Sequence, residues 1–251
     1  MSESADKKKW VEWARMAEQI ERYEDMAEYM KKAAKQLNKD GPPFSPEERN
    51  LFSVAYKNAV GSRRSAWRIL STFEQRQESD EKKALIAEYK GKLEEELEKT
   101  CNEVLELLDE KVIPSDDDSH GKVFYCKMKG DYFRYMAEVA PEGEKRTKAV
   151  KGAQEAYKEA LDVACEKLGP SDPVRLGLAL NSSVFQYEIM NDPEEACKLA
   201  KEAFDQAIGV LDSTSQETYK DTTLIMQLLR DNLTLWTADN NQDQEDDTQD
   251  S

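Results

Sequence analysis

The chain has 251 residues, of which 39% are hydrophobic and 35% charged, with 52 acids against 36 bases and a net charge of −16. That length permits one large domain or two small ones with ample material for a core. The acidic balance argues against general binding to nucleic acid or an anionic membrane surface, since either would repel the chain.

The start, "MSESADKKKW", lacks the apolar stretch of a secretory signal, and no run of about 18 apolar residues is present to span a bilayer. A cytoplasmic protein, with nuclear access open, is the expectation. Trp10, Trp13, Ala17 and Ile20 begin the first apolar stripe, on a helix near 5–20, and a second helix follows near 22–38. "GPPFSPEE" holds Ser45, Pro46 and Glu48, a capping box with Pro at the first helical position, and opens a third helix near 46–75.

Leu85, Tyr89, Leu93, Leu97, Cys101, Leu105, Leu108 and Val112 recur at steps of four and three, which predicts a long fourth helix near 81–113. Gly91 interrupts it and should cost about 1 kcal/mol relative to Ala. Pro114 and Asp116–Asp118 end it. A fifth helix is expected near 119–140, and a sixth, carrying Val150, Ala153, Tyr157, Leu161, Ala164 and Leu168, near 145–168. Asp172–Pro173 and Asp192–Pro193 each supply a cap and a preset φ for helices near 173–190 and 193–211. "DSTSQE" begins a ninth near 215–236.

Short connections make neighbouring helices antiparallel in an all-α chain. The remaining "ADNNQDQEDDTQDS" is acidic with almost nothing apolar, so 1–237 reads as one helical domain and 238–251 as a disordered acidic tail. Cys101, Cys126, Cys165 and Cys197 read as reduced, partly buried thiols, because no CxxC spacing is present. His120 is the single histidine, which supports neither a catalytic triad nor a histidine metal site. No metal, cofactor or enzymatic activity is expected.

One run departs from the acidic background. Arg49–Phe73 contains no acid, although 52 acids in 251 residues would put about five there. Within it, Lys57 and Arg64 lie two turns apart on one face of the third helix, Arg68 follows one turn later, and Arg63 points elsewhere. In "KVFYCKMKGDYFRYMAEV", Lys127 and Arg134 repeat the two-turn spacing, with Tyr135 adjoining and Glu138 a turn beyond. Packed antiparallel, two such helices could aim Lys57, Arg64 and Arg134 at one point, where guanidinium forks and a tyrosine hydroxyl suit phosphate oxygens. Each cation taken singly reads as well as a solvated face.

Two later helices carry a different pattern. Asn181, Val184 and Glu188 share a face beside Leu180, and Leu224, Leu228, Asn232 and Trp236 follow at steps of four. An amide within an apolar stripe needs buried partners, or a ligand backbone to hold.

"RNLFSVAYKNAVGSRRSAWR", "KVFYCKMKGDYFRYMAEVA", "RLGLALNSSVFQYEI" and "YKDTTLIMQLLRDNLTLWTAD" resemble the 14-3-3 family, and the resemblance covers about residues 8–237. It implies a cup-shaped protomer of nine antiparallel helices with a concave peptide groove, paired as a dimer. Each groove would take a phosphoserine or phosphothreonine segment of a client protein. By that resemblance Lys57, Arg64, Arg134 and Tyr135 match the phosphate pocket. Asn181 and Asn232 match the backbone clamps, with Glu188 and Lys127 alongside, and Leu180, Val184, Leu224 and Leu228 match the apolar wall. Arg22 and Asp25 match one side of the dimer interface and Tyr89, Lys92 and Glu96 the other. Arg22–Glu96 and Asp25–Lys92 pairs are then expected between subunits, which could be identical or paralogous, around an apolar contact that includes Met16, Ile20 and Tyr89.

Some positions depart from the family pattern. Ala66 and Asp192 stand where some members carry regulatory serines, and Ser182 and Gln186 stand where aromatic residues are usual. The competing expectation is a scaffold of tetratricopeptide type that binds unphosphorylated segments, but no 34-residue self-similar period is present.

Overall fold

Among the described residues, 2–249 for the backbone and 6–238 for side chains, the computed structural model holds nine α-helices and no strand. They are α1 (Ser2–Gln19), α2 (Tyr23–Ala34), α3 (Pro46–Arg76), α4 (Asp80–Leu107), α5 (Ser119–Val139), α6 (Glu144–Lys167), α7 (Pro173–Glu188), α8 (Pro193–Ile208) and α9 (Gln216–Gln249).

The caps act where the sequence places them. Ser45 Oγ accepts from Glu48 N at 3.2 Å while Glu48 Oε2 accepts from Ser45 N at 2.9 Å. Asp172 Oδ1 accepts from Val174 N at 2.8 Å, and Asp192 Oδ1 from Glu195 N at 3.0 Å. Each satisfies donors that a helix start leaves without partners.

Three elements end differently from expectation. α2 stops at Ala34 rather than near 38. α4 is α-helical only to Leu107, then passes through a π-helical turn, Leu108–Val112, and a 3₁₀ turn, Ile113–Ser115. Pro114 has no N–H to continue the ladder. The backbone of α9 continues to Gln249, into the acidic segment expected to lack order. The side chains of that segment from residue 239, and residues 250–251, lie outside the described residues.

The chain forms two compact units, Met1–Asp117 with Tyr135–Ala149, and Asp118–Arg134 with Val150–Ser251. In the first, α1 packs on α2 through Trp10 stacked on Tyr29 at 6.2 Å. α3 buries Leu51, Phe52, Ala55, Tyr56, Ala59 and Val60, and α4 buries Leu93, Leu97, Cys101 and Val104. A large apolar side chain so buried contributes about 1.5–3 kcal/mol. Glu103 ties this core to its edge: Oε1 accepts from the Tyr56 hydroxyl at 2.9 Å and Oε2 takes Lys31.

In the second unit, α7, α8 and α9 share a core of Leu176, Ala196, Ala200, Ala207, Met226, Leu229 and Trp236. α5 meets α6 across glycine. A Cβ on Gly130 would lie 2.5 Å from Tyr157 Cε1, and one on Gly152 would lie 2.8 Å from Phe133 Cδ1. Glycine here admits an aromatic ring against helix backbone.

The four thiols divide by depth: Cys101 and Cys126 are buried, Cys197 is half-buried, and Cys165, expected to be partly covered, is exposed.

Candidate functional site

In the first unit, α3 and the C-terminal part of α5 build a basic face. Arg64 Nε and Nη2 both donate to Glu138 Oε2, at 2.9 and 2.7 Å, and Arg68 Nε donates to Glu138 Oε1. The Arg64 guanidinium carbon lies 3.9 Å from the centroid of the Tyr135 ring. One carboxylate and one aromatic face therefore fix the plane of this guanidinium, and its Nη1 hydrogens remain for a further acceptor. Lys57, on the same face of α3, is exposed and forms no ion pair among the described residues. Three cations against Glu138 leave the patch net positive within an acidic chain. Arg63 points away, as its phase on the helix requires, and donates to Glu24 at 2.7 Å and Glu96 at 3.1 Å.

In the second unit the organising group is one the sequence reading missed. Asp131 is 6% exposed, and so is Arg134. Asp131 Oδ1 accepts from the Tyr157 hydroxyl at 2.6 Å and from Asn181 Nδ2 at 2.8 Å, and Oδ2 accepts from Lys127 Nζ at 2.8 Å. Arg134 Nη2 lies 3.6 Å from Oδ1, and Arg134 Nε donates to the Tyr157 hydroxyl oxygen at 3.1 Å. Burial alone would raise the Asp131 pKa, but Lys127, Arg134 and the donated hydrogen bonds outweigh it and hold the carboxyl below its ordinary value. Burial, reinforced by the Asp131 charge, pushes the Tyr157 hydroxyl well up, so it remains a donor.

Lys127, Arg134 and Asn181, which the sequence separates, thus meet on one carboxylate. The steps Lys127–Asp131 (four) and Asp131–Arg134 (three) were the available signal for it. The contact also sets the Asn181 amide: a carboxylate can only accept, so Nδ2 faces Asp131 and Oδ1 is left to accept an N–H from a ligand backbone.

The four residues expected to form an apolar wall lie in the same unit. Leu224 and Leu228 on α9 are exposed at 61% and 44%, and Leu180 and Val184 on α7 are half-buried and packed against the α7–α9 core. Asn232 is half-buried and Glu188 exposed. The four-residue step puts Leu224 and Leu228 on one face of α9.

The first unit also exposes apolar side chains at two places, the end of α1 and the N-terminal part of α4. Met16, Ile20 and Tyr89 are 56%, 65% and 57% exposed. Leu85 is exposed too, so the stripe of α4 leaves the core at its N-terminal end. Ile69 and Phe73 on α3 are also exposed and were not singled out from the sequence. Of the charges expected to pair between subunits, Arg22 holds Asp25, Lys92 holds Glu88 at 2.8 Å, and Glu96 takes Arg63 within this chain.

Among the described residues, no group of histidines, cysteines or carboxylates could hold a metal ion, and no helix is long and apolar enough to cross a membrane.

Comparison with known proteins follows the same lines. A family model described as 14-3-3 protein matches residues 13–237, across both units. The chain is 56% identical over 242 residues to a human protein named 14-3-3 protein beta/alpha, covering 96% of each. It is 58% identical over 230 residues to 14-3-3-like protein 1 of Caenorhabditis elegans, covering 91% of this chain and 90% of the relative. It is 55% identical over 237 residues to 14-3-3 protein zeta of Bombyx mori, covering 94% of each.

Proposed function

The chain belongs to the 14-3-3 family, and from that premise we propose that it is a dimeric cytoplasmic adaptor that binds phosphoserine- or phosphothreonine-containing segments of client proteins. The observation that carries this reading is the Arg64 guanidinium, held flat between Glu138 and Tyr135 with donors to spare. A phosphate adds about −1.5 to −2 charge at pH 7 and three strong acceptor oxygens. A planar fork already fixed in place loses little entropy on meeting them.

Lys57, Arg64, Arg134 and Tyr135 take the phosphate. Lys57, exposed, supplies long-range attraction in an otherwise repulsive field. Asn181 and Asn232 hold the peptide backbone, with Lys127 and Glu188 beside them. Leu180, Val184, Leu224 and Leu228 cover the apolar residues that flank the phosphate. Asp131 positions this set by holding Lys127, Arg134 and Asn181 at fixed angles. Dimerisation that brings Met16 and Ile20 of one subunit against Tyr89 of the other places two grooves in one particle, and a client carrying two phosphates gains avidity from effective concentration.

The test is fluorescence anisotropy with one peptide containing Arg and phosphoserine, and with its unphosphorylated twin. Two charge-assisted hydrogen bonds at about 1.5 kcal/mol each predict a preference of about 100-fold for the phosphorylated form. Equal binding of the two would put the unphosphorylated-peptide scaffold in its place.

A further inference from the structure

A cavity of 330 Å³ opens in the first unit between α4 and the junction of α5 with α6, within the range of small-ligand pockets, about 300–1,000 Å³. Its wall is apolar, from Leu97, Met136, Val139 and Pro141. Its rim carries Glu94, Glu95, Glu98 and Lys145. Lys145 Nζ is committed to Glu98 Oε2 at 2.8 Å, and Glu94 Oε1 accepts from Trp67 Nε1 at 2.8 Å. Glu95 is exposed and forms no ion pair among the described residues. Three carboxylates against one cation leave the rim net negative over an apolar floor.

Gly91 lines this cavity as well. A glycine inside a helix costs about 1 kcal/mol relative to Ala, and nothing in the fold requires one here. Its φ is not positive, and a Cβ built on it meets no atom within 4 Å. What the missing side chain does is leave the cavity open. Gly91, Glu95 and Glu98 follow one another at steps of four and three, on a stripe of α4 separate from that of Leu85, Tyr89, Lys92 and Glu96. The cavity therefore belongs neither to the exposed apolar stripe of Leu85 and Tyr89 nor to the basic patch of α3.

We propose that this cavity is a binding site for a small amphipathic amine, whose apolar body lies on Leu97, Met136 and Val139 and whose cationic head meets Glu94 and Glu95. The charge of the rim selects the cation, and the absence of a side chain at Gly91 admits the body.

The experiment titrates the full chain with dansylcadaverine, an aromatic body bearing a primary amine, and with dansylglycine, the same body bearing a carboxylate. The expected result is saturable, blue-shifted fluorescence with the amine at one site per chain and binding at least about tenfold weaker for the acid. Gly91→Leu fills the cavity and abolishes the signal, while its melting temperature stays at or above wild type because Leu is the better helix former. Glu95→Gln, an exposed and isosteric change, weakens the amine several-fold and leaves the acid no weaker. Equal affinity for the two dyes, or an amine signal unchanged in Gly91→Leu, overturns the proposal, the latter by placing the dye on one of the exposed apolar faces. Should Gly91→Leu melt below wild type, Glu95→Gln decides alone, and unchanged amine affinity in that variant overturns the proposal.

Discussion

Replacing Asp131 by Asn keeps the shape of the side chain and removes its charge. The carboxylate is 6% exposed and accepts from Lys127, Tyr157 and Asn181 while facing Arg134. An Asn there has one oxygen for three donors and turns an NH₂ toward cations. Breaking a buried charge pair on one side costs about 3–5 kcal/mol. Lys127 retains some access to water and can recover part of its hydration, so a loss near the lower end, about 3 kcal/mol, is expected by urea denaturation at pH 7.

The sign of the pH dependence is fixed by the lowered pKa of Asp131. Its contribution is fully present above the ordinary carboxylate value of 3.8 and is lost as pH falls through the folded value below it. The gap between wild type and Asp131→Asn should therefore narrow only in strong acid. A loss under about 1 kcal/mol at pH 7, or a gap that is constant with pH through that range, would refute the role given to this carboxylate.

Gly130→Ala places a methyl 2.5 Å from Tyr157 Cε1 and should destabilise by about 1–3 kcal/mol, read as a lower melting temperature; no change would mean that α5 and α6 part easily. Ile20→Glu and Tyr89→Glu put charge at two exposed apolar positions of the first unit, and sedimentation should show each shifting toward monomer while wild type stays dimeric at the same concentration. Burial pushes the Cys101 thiol pKa well up, whereas Cys165 is exposed. A maleimide at about pH 7.5, below the ordinary thiol pKa, should label Cys165 first and leave Cys101 intact in the native protein; early labelling of Cys101 would contradict the packing of α3 on α4.

Local chemistry was the legible part of the sequence. Ser45, Asp172 and Asp192 announce helix starts because a cap acts on donors two or three residues away. The cations of α3 and α5 were legible by their step of seven. For Asp131 only the local steps to Lys127 and Arg134 were legible; its partners Tyr157 and Asn181 lie 26 and 50 residues onward, and no periodicity in one segment reports them. The stripe of α4 shows the same limit: Leu85 and Leu93 read alike in sequence, yet one is exposed and the other buried. Apolar spacing marks a surface that will be covered but does not say by what. Helix ends were missed where no cap stands, as at Ala34.

The most direct measurement combines two changes in one cycle, phosphate present or absent on the peptide and Lys57 kept or replaced by alanine on the protein, with four dissociation constants from calorimetry. Lys57 is exposed, so Lys57→Ala leaves the fold intact. The account predicts that the substitution weakens the phosphorylated peptide about tenfold, a coupling of about 1.4 kcal/mol, and does not change binding of the twin. The same factor for both peptides would contradict phosphate recognition by the basic face of α3.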